Sequence, residues 1–393
     1  MTSTEAEIAD WLLTPEAMRT QTRVLFEAGL DGKLDQFTVQ MDKLPAAAEL
    51  VCEVIRDNYP GLEVPPHARW RHFVFDGDDR WLAYADAKLE DAEERARAEC
   101  ELAIVSVLLD AGAGPAWRYT DPKTGKAWAR SEGLALASLD MYLAGAFNPE
   151  RLPSFSADEL AQGFQVTHDN PLEGLDGRAA LIAKLGQRVA DFRPVFSGAR
   201  LGSIADYLVE QATDGQLEAR TILITLLHAL GPIWPGRQQL AGRNLGDTWA
   251  HPLAPHGLVP FHKLSQWLSY SLFEPMQRRG LTITGQDALT GLAEYRNGGL
   301  FVDTGVITLR DPVQGSVPQD PSSQLVVEWR ALTVALLDEI APLVRARLGT
   351  TASAMPLASV LEGGTWAAGR RIARELRNDG GPPIAIVSDG SVF

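Results

Sequence analysis

The sequence predicts a mainly α, multi-helix protein with a few short strands. Three observations predict it. Apolar residues recur at helical spacing along most of the chain, as at Ala47, Leu50, Val51, Val54 and Ile55. Alternating, strand-like runs are sparse. The motifs that accompany several sheet-based enzyme folds do not occur: no Gly-x-x-x-x-Gly-Lys phosphate loop, no dinucleotide fingerprint, no Gly-x-Ser-x-Gly elbow, and no His-Glu-x-x-His helix either.

In chain order, residues up to about Asn58 read as helices, with an amphipathic start around Ile8–Leu13. Tyr59-Pro60-Gly61 and Val64-Pro65-Pro66 then form a turn-rich entry. His67-Ala-Arg69-Trp70-Arg71-His72-Phe73 follows. Its arginines and histidines can bind an anion or stack on a ring. Equally, Trp70 and Phe73 can be core while Arg69 and Arg71 pair with the acids of Asp76–Asp79. Ala85–Ala111 is a long helical pattern whose charge run, Lys88–Glu101, reads as a solvated face. Trp117–Arg130 is a loop or short hairpin, and Ser131 is placed to cap a helix over Glu132–Gly145. A connector over Pro153–Asn170 leaves either one 393-residue unit or two helical lobes, about 1–150 and 171–393, packed around one site. Three helical patterns occupy 174–231, with His228 expected in the core. Gly246–His251 is polar, aromatic and turn-like, and His251 is a candidate for substrate contact. Gln324–Leu348 is a long amphipathic helix. A helix over Trp366–Arg377 carries a basic stripe, Arg370, Arg374 and Arg377, expected to be solvated and paired with acids; a short strand, Ile384–Val387, leads into Ser388-Asp389.

The stretch Pro260–Ile307 organises the rest. A first helix should begin after Pro260 and stop at Pro275, which cannot continue the hydrogen-bond ladder. Lys263, Gln266 and Tyr270 share one face of it. A second helix should open at Asp287 and close at Asn297-Gly298-Gly299. It would carry Glu294 between Gly291 and Gly298, one turn to either side. Two missing side chains would leave the carboxylate accessible to a small ligand; the plainer reading is a packing glycine beside a solvated acid.

Composition bounds the function. Apolar residues make up 45% and charged residues 22%, as in ordinary globular proteins. A net charge of −15 argues against nucleic acid or an anionic membrane as partner. Cys52 and Cys100 cannot form a disulfide framework or a cysteine-rich metal site. No apolar run suits a membrane helix, and the acidic N-terminus does not read as a signal peptide. The expectation is a cytoplasmic protein acting on a small molecule.

Three segments together resemble one family: Pro66–Phe73 (PHARWRHF), the organising stretch with LAEYRNGGLFVDTGVI, and the C-terminal GGTWAAGR with GGPPIAIVSDGSVF. They are similar to the uracil catabolism protein four family of fungi and bacteria, over essentially the whole chain. That family is tied to a route from uracil through ribosylurea to urea. The organising stretch also resembles the queuosine salvage family, N-glycosyl hydrolases with a helical, DNA-glycosylase-like fold. Its Phe-x-Lys-x-x-Gln helix matches Phe261, Lys263 and Gln266, and its Leu-Thr-x-x-Ala-Asp-Tyr-Arg segment matches Leu289, Thr290, Ala293, Tyr295 and Arg296. That family's essential aspartate falls on Glu294, one methylene longer, and its essential lysine on Lys263. Trp128–Leu136, with Ser131 and Glu132, loosely resembles its entry to a core helix.

Together the two resemblances imply hydrolysis of the N-glycosidic bond of ribosylurea, or its 5′-phosphate, to urea and ribose or ribose phosphate. Glu294 would stabilise an oxocarbenium-like transition state as an ordinary, ionised carboxylate kept charged by Lys263. Gln266, Tyr295 and Arg296 would contact substrate; Arg69, Trp70, Arg71 and His72 would hold a phosphate or the urea carbonyl. No metal or cofactor is expected. A ureide C–N hydrolase of the same route and a non-catalytic partner of a pathway enzyme remain as alternatives.

Overall fold

A computed structural model of the chain describes residues 3–235 and 237–387. In chain order its α-helices are α1 (Glu5–Leu12), α2 (Pro15–Leu30), α3 (Leu44–Asn58), α4 (Arg80–Lys88), α5 (Ala92–Leu108), α6 (Arg130–Leu143), α7 (Ala157–Gly163), α8 (Leu175–Asp191), α9 (Ile204–Glu210), α10 (Ala219–Leu230), α11 (Lys263–Arg278), α12 (Tyr295–Asp303), α13 (Gln324–Leu348), α14 (Leu357–Val360) and α15 (Trp366–Leu376). Strands among the described residues are two or three residues long and pair only in twos. The protein is mainly α, and none of its described helices is long and apolar enough to cross a membrane.

The residues form two compact units, the first from 3–67, 237–266 and 285–387, the second from 68–235 and 267–284. In the first unit α13 is the central element. Its Leu325, Val327, Leu332, Leu336 and Ile340 are buried, and it packs against α2, α3 and α12. The helix ends where Gly349 takes the left-handed conformation, φ 66°. Thr14 and Ser323 cap α2 and α13 by accepting backbone N–H bonds. α12 lies against α15 so closely that a Cβ on Gly369 would sit 2.1 Å from the Arg296 carbonyl oxygen.

In the second unit α5 is the core helix, buried throughout Leu102–Leu108 and packed against α6, α8 and α9. The expected Ala85–Ala111 helix is in fact two. Leu89 ends α4, and Asp91 restarts the chain by accepting the Glu93 N–H at 3.0 Å. Glu99 is no solvated charge: it is fully buried and accepts hydrogen bonds from Trp81, Arg95 and Arg278. The hairpin expected between Trp117 and Arg130 is present, Tyr119–Thr120 pairing with Ala127–Trp128. Helix α6 begins at Arg130 rather than after a Ser131 cap. His228, expected in the core, lies on an exposed position of α10.

Helix α11 does not stop at Pro275 but runs through it to Arg278. Proline removes the N–H that would bond the Ser271 carbonyl four residues back. The Trp70 indole N–H donates to that carbonyl instead, at 2.7 Å, so nothing is left unpaired. The expected Ile384–Val387 strand reduces to a single bridge, Gln319 with Ile386, while Ser388 and Asp389 lie outside the described residues.

Candidate functional site

Within the first unit, two of the sequence's candidate segments are tied together side by side. Gln266 Nε2 donates to Thr290 Oγ1 at 2.6 Å, joining α11 to the chain that carries Glu294. That chain is not the helix expected from Asp287 onward. After a single 3-10 turn at Gln286–Ala288 it is irregular, and α12 starts only at Tyr295. Asp287 does cap a helix, but another one: its Oδ1 accepts the N–H of Leu357, the first residue of α14, at 2.8 Å. Gly291 and Gly298 open no access route either. A Cβ on Gly291 would lie 2.5 Å from Leu337 Cδ1, and one on Gly298 2.7 Å from Trp329 Nε1. Both glycines permit close packing on α13.

Glu294 is therefore the N-cap of α12. Its Oε2 accepts the Arg296 N–H at 2.7 Å and its Oε1 the Asn297 N–H at 2.5 Å. Only 6% of the residue is exposed. Burial raises the carboxyl above its ordinary value; the two backbone donors and the charges of Lys263 and His67 oppose this without cancelling it. The expectation of an unperturbed glutamate is thus corrected. Among the described residues no cation forms a contact ion pair with it; Lys263 and His67 act at longer range.

Lys263 opens α11, and its N–H, like the others of a first helical turn, needs an acceptor. Asp247 supplies one from outside, Oδ2 accepting the Lys263 N–H at 3.0 Å and its own carbonyl that of Phe261 at 2.9 Å. The preceding residue, His262, takes φ 45°, a left-handed conformation that costs a non-glycine residue and that clusters at functional sites. It is held there by its Nε2 against the Leu12 carbonyl, 2.9 Å away. Burial pushes the Asp247 carboxyl up, but Arg330, the Trp249 indole and the Lys263 N–H outweigh it and leave it at about 2.

The other candidates of this unit have partners. Arg296 donates to the Gly380 carbonyl at 2.7 Å and lies over the half-buried Tyr295 ring. His251 Nδ1 accepts the Leu253 N–H, and its Nε2 is 3.5 Å from Glu328 Oε1. Gln266 Oε1 is a buried acceptor without a hydrogen bond among the described residues.

The second unit holds the remaining candidates. Arg69 is fully buried, bonded to Asp110 and to Ser106 Oγ, and its guanidinium lies 5.5 Å from the centre of the Trp267 ring. Ser131 Oγ donates to the other Asp110 oxygen at 3.1 Å, and the Glu132 charge acts on Arg69. Arg71 pairs with Glu274. His72 stands edge-on to Trp267, ring centres 5.7 Å apart. Trp70 is core, as the plainer reading had it, but the arginines pair with Asp110 and Glu274 rather than with Asp76–Asp79.

Asp247, Arg330 and Glu362 went unread in the sequence, and His67 and Asn297 figured there only as parts of wider motifs. Their partners are far away in the chain, so no local spacing signals them. Beside Glu362, the Gly363-Gly364-Thr365 motif did stand out.

This helical scaffold with its buried, capped carboxylate is matched over residues 11–393 by a family described as "Protein of unknown function (DUF1688)", and the chain belongs to that family. It is 40% identical over 401 residues to Protein urg3 of Schizosaccharomyces pombe, covering 97% of this chain and 98% of that one. It is 36% identical over 414 residues to Uracil catabolism protein 4 of Lachancea kluyveri, covering 92% and 93%. These relatives belong to the family that the three sequence motifs resemble.

Proposed function

We propose that this chain acts in uracil catabolism as an N-glycosyl hydrolase, cleaving ribosylurea or its 5′-phosphate to urea and ribose or ribose phosphate. The pathway follows from the relative named Uracil catabolism protein 4. The reaction type rests on Glu294: a buried carboxylate, fixed by two backbone N–H groups, with the nearby charge of Lys263 but, among the described residues, no contact ion pair to neutralise it. Such a group stabilises positive charge developing at an anomeric carbon and can take a proton from attacking water. Its raised pKa brings it toward the working pH of a general base. The backbone donors hold it in place before substrate arrives, so little reorganisation is left to the reaction.

The test is urea release from ribosylurea and from its 5′-phosphate, by wild type, Glu294→Gln and Lys263→Ala. Release by wild type that falls by orders of magnitude in Glu294→Gln is expected, and the better substrate identifies the phosphate requirement. Release unaffected by Glu294→Gln moves the site elsewhere. No release from either compound ends the glycosidase reading.

A further inference from the structure

The Gly363-Gly364-Thr365 motif has no part in the chemistry above, yet the structure attaches it to Glu294. Leu361–Thr365 forms one turn of π-helix between α14 and α15. Such turns are rare and recur at functional sites. The glycines let it press on the rest of the unit: a Cβ on Gly363 would lie 2.7 Å from Val64 Cγ1, and one on Gly364 2.6 Å from Val51 Cγ1. From this turn Thr365 Oγ1 donates to Asn297 Oδ1 at 2.8 Å, and the Asn297 N–H holds Glu294. From the same turn Glu362 Oε2 meets His67 Nδ1 at 2.5 Å. His67 is fixed further by its own N–H on the Ala358 carbonyl, 2.9 Å, and by the Trp366 ring, centres 5.7 Å apart. Its side chain is 4% exposed, and its charge is among those that act on Glu294.

We propose that His67, oriented by Glu362, donates the proton that the departing ureide nitrogen requires. The proposal rests on the glycosidase reading given above. A urea anion is far too basic to leave unprotonated, so a reaction at this bond needs an acid as well as Glu294. As the bond from the anomeric carbon to nitrogen breaks, its electron pair stays on nitrogen, which takes the proton from His67 Nε2. Water adds to the anomeric carbon and loses a proton to the Glu294 carboxylate. Urea and the sugar depart, and solvent carries the proton from Glu294 back to His67. Glycoside and one water are consumed, and no other reactant is needed. Glu362 remains a carboxylate throughout. It accepts the Nδ1–H, fixes the ring and stabilises the imidazolium, as a carboxylate does for histidine in a hydrolytic triad.

The experiment varies the leaving group. Wild type, His67→Gln, Glu362→Gln and Glu294→Gln, each checked for an unchanged melting profile, are assayed on ribosylurea and on para-nitrophenyl riboside, whose phenolate leaves without a proton. His67→Gln is expected to lose about 10²–10⁴-fold on ribosylurea and only a few-fold on the nitrophenyl riboside. Glu362→Gln should show a smaller loss with the same selectivity, and Glu294→Gln should fail on both. Equal losses by His67→Gln on the two substrates, or none, overturn the proton donor and leave the glycosidase standing. If wild type turns over only ribosylurea, free imidazole added to His67→Gly reads the same step: restored urea release supports the assignment and its absence overturns it. If wild type cleaves neither the nitrophenyl riboside nor ribosylurea or its 5′-phosphate, the glycosidase reading falls and the proton donor with it.

Discussion

Arg330 meets Asp247 edge to edge, Nη1 to Oδ1 at 2.7 Å and Nη2 to Oδ2 at 2.8 Å, while its Nε donates to the Ala293 carbonyl at 3.2 Å. Through Asp247 it fixes the backbone of Lys263, and through Ala293 the residue just before Glu294. One side chain on α13 thus sets the spacing of the two groups that carry the proposed chemistry. Removing one partner of a buried pair strands the other charge, which costs about 3–5 kcal/mol. Arg330→Met and Asp247→Leu should each lose that much by urea denaturation. The double variant should recover part of the loss, because it strands nothing; losses that simply add would mean the pair is not coupled.

Acid should weaken the same brace. The Asp247 carboxyl sits at about 2 in the folded protein, below its ordinary 3.8, so the folded state binds fewer protons than the unfolded one there. Its contribution, on the order of 2 kcal/mol, is fully present above about pH 4 and disappears as pH falls toward 2. Denaturation midpoints measured down this range should fall more steeply for wild type than for Asp247→Asn.

The helical class was legible because amphipathic spacing is a local signal, and α13 begins and ends where its sequence pattern does. The irregular run before Glu294 was not. Asp287 reads locally as a helix cap, but its oxygen serves α14, seventy residues on. Gly291 reads as an opening, and only the position of Leu337 shows that it is a packing surface. Pro275 reads as a stop, and only Trp70 shows how the freed carbonyl is satisfied. Glu294 and Lys263 were reachable through resemblance, whereas His67–Glu362 and Asp247–Arg330 join residues 295 and 83 positions apart.

Gly298 and Gly369 test the close approach of α12 to its neighbours. A methyl at Gly298 would meet the Trp329 and Thr333 side chains, which can shift, so Gly298→Ala should cost about 1–3 kcal/mol. At Gly369 the obstacle is the Arg296 carbonyl, backbone that cannot move without α12. Gly369→Ala should therefore be the more damaging, with a larger drop in thermal midpoint; the reverse order would contradict this packing.

Trp70→Phe should leave the Ser271 carbonyl buried without a donor, at a cost of about 1–3 kcal/mol. Pro275→Ala restores a backbone N–H that can bond the same carbonyl. In the double variant, the Trp70→Phe loss should shrink. A double-mutant cycle by chemical denaturation measures this, and strict additivity would show that the indole bond is not the proline's compensation.

Glu294 ties stability to chemistry through one titration. Burial raises its carboxyl, and the Asn297 and Arg296 N–H groups, Lys263 and His67 only partly offset that. The folded state therefore holds the proton to higher pH than the unfolded chain does. The stability this contributes is complete below the unfolded value of about 4.3 and is lost as pH rises through the folded value. A glutamine does not titrate, so the unfolding free energy of wild type relative to Glu294→Gln should fall as pH rises from about 4 through the folded value. The same deprotonation produces the carboxylate that accepts the proton of water, so urea release should rise over that interval. One group governs both curves only if their midpoints agree. A stability difference that shifts where activity does not would leave Glu294 as a helix cap and nothing more.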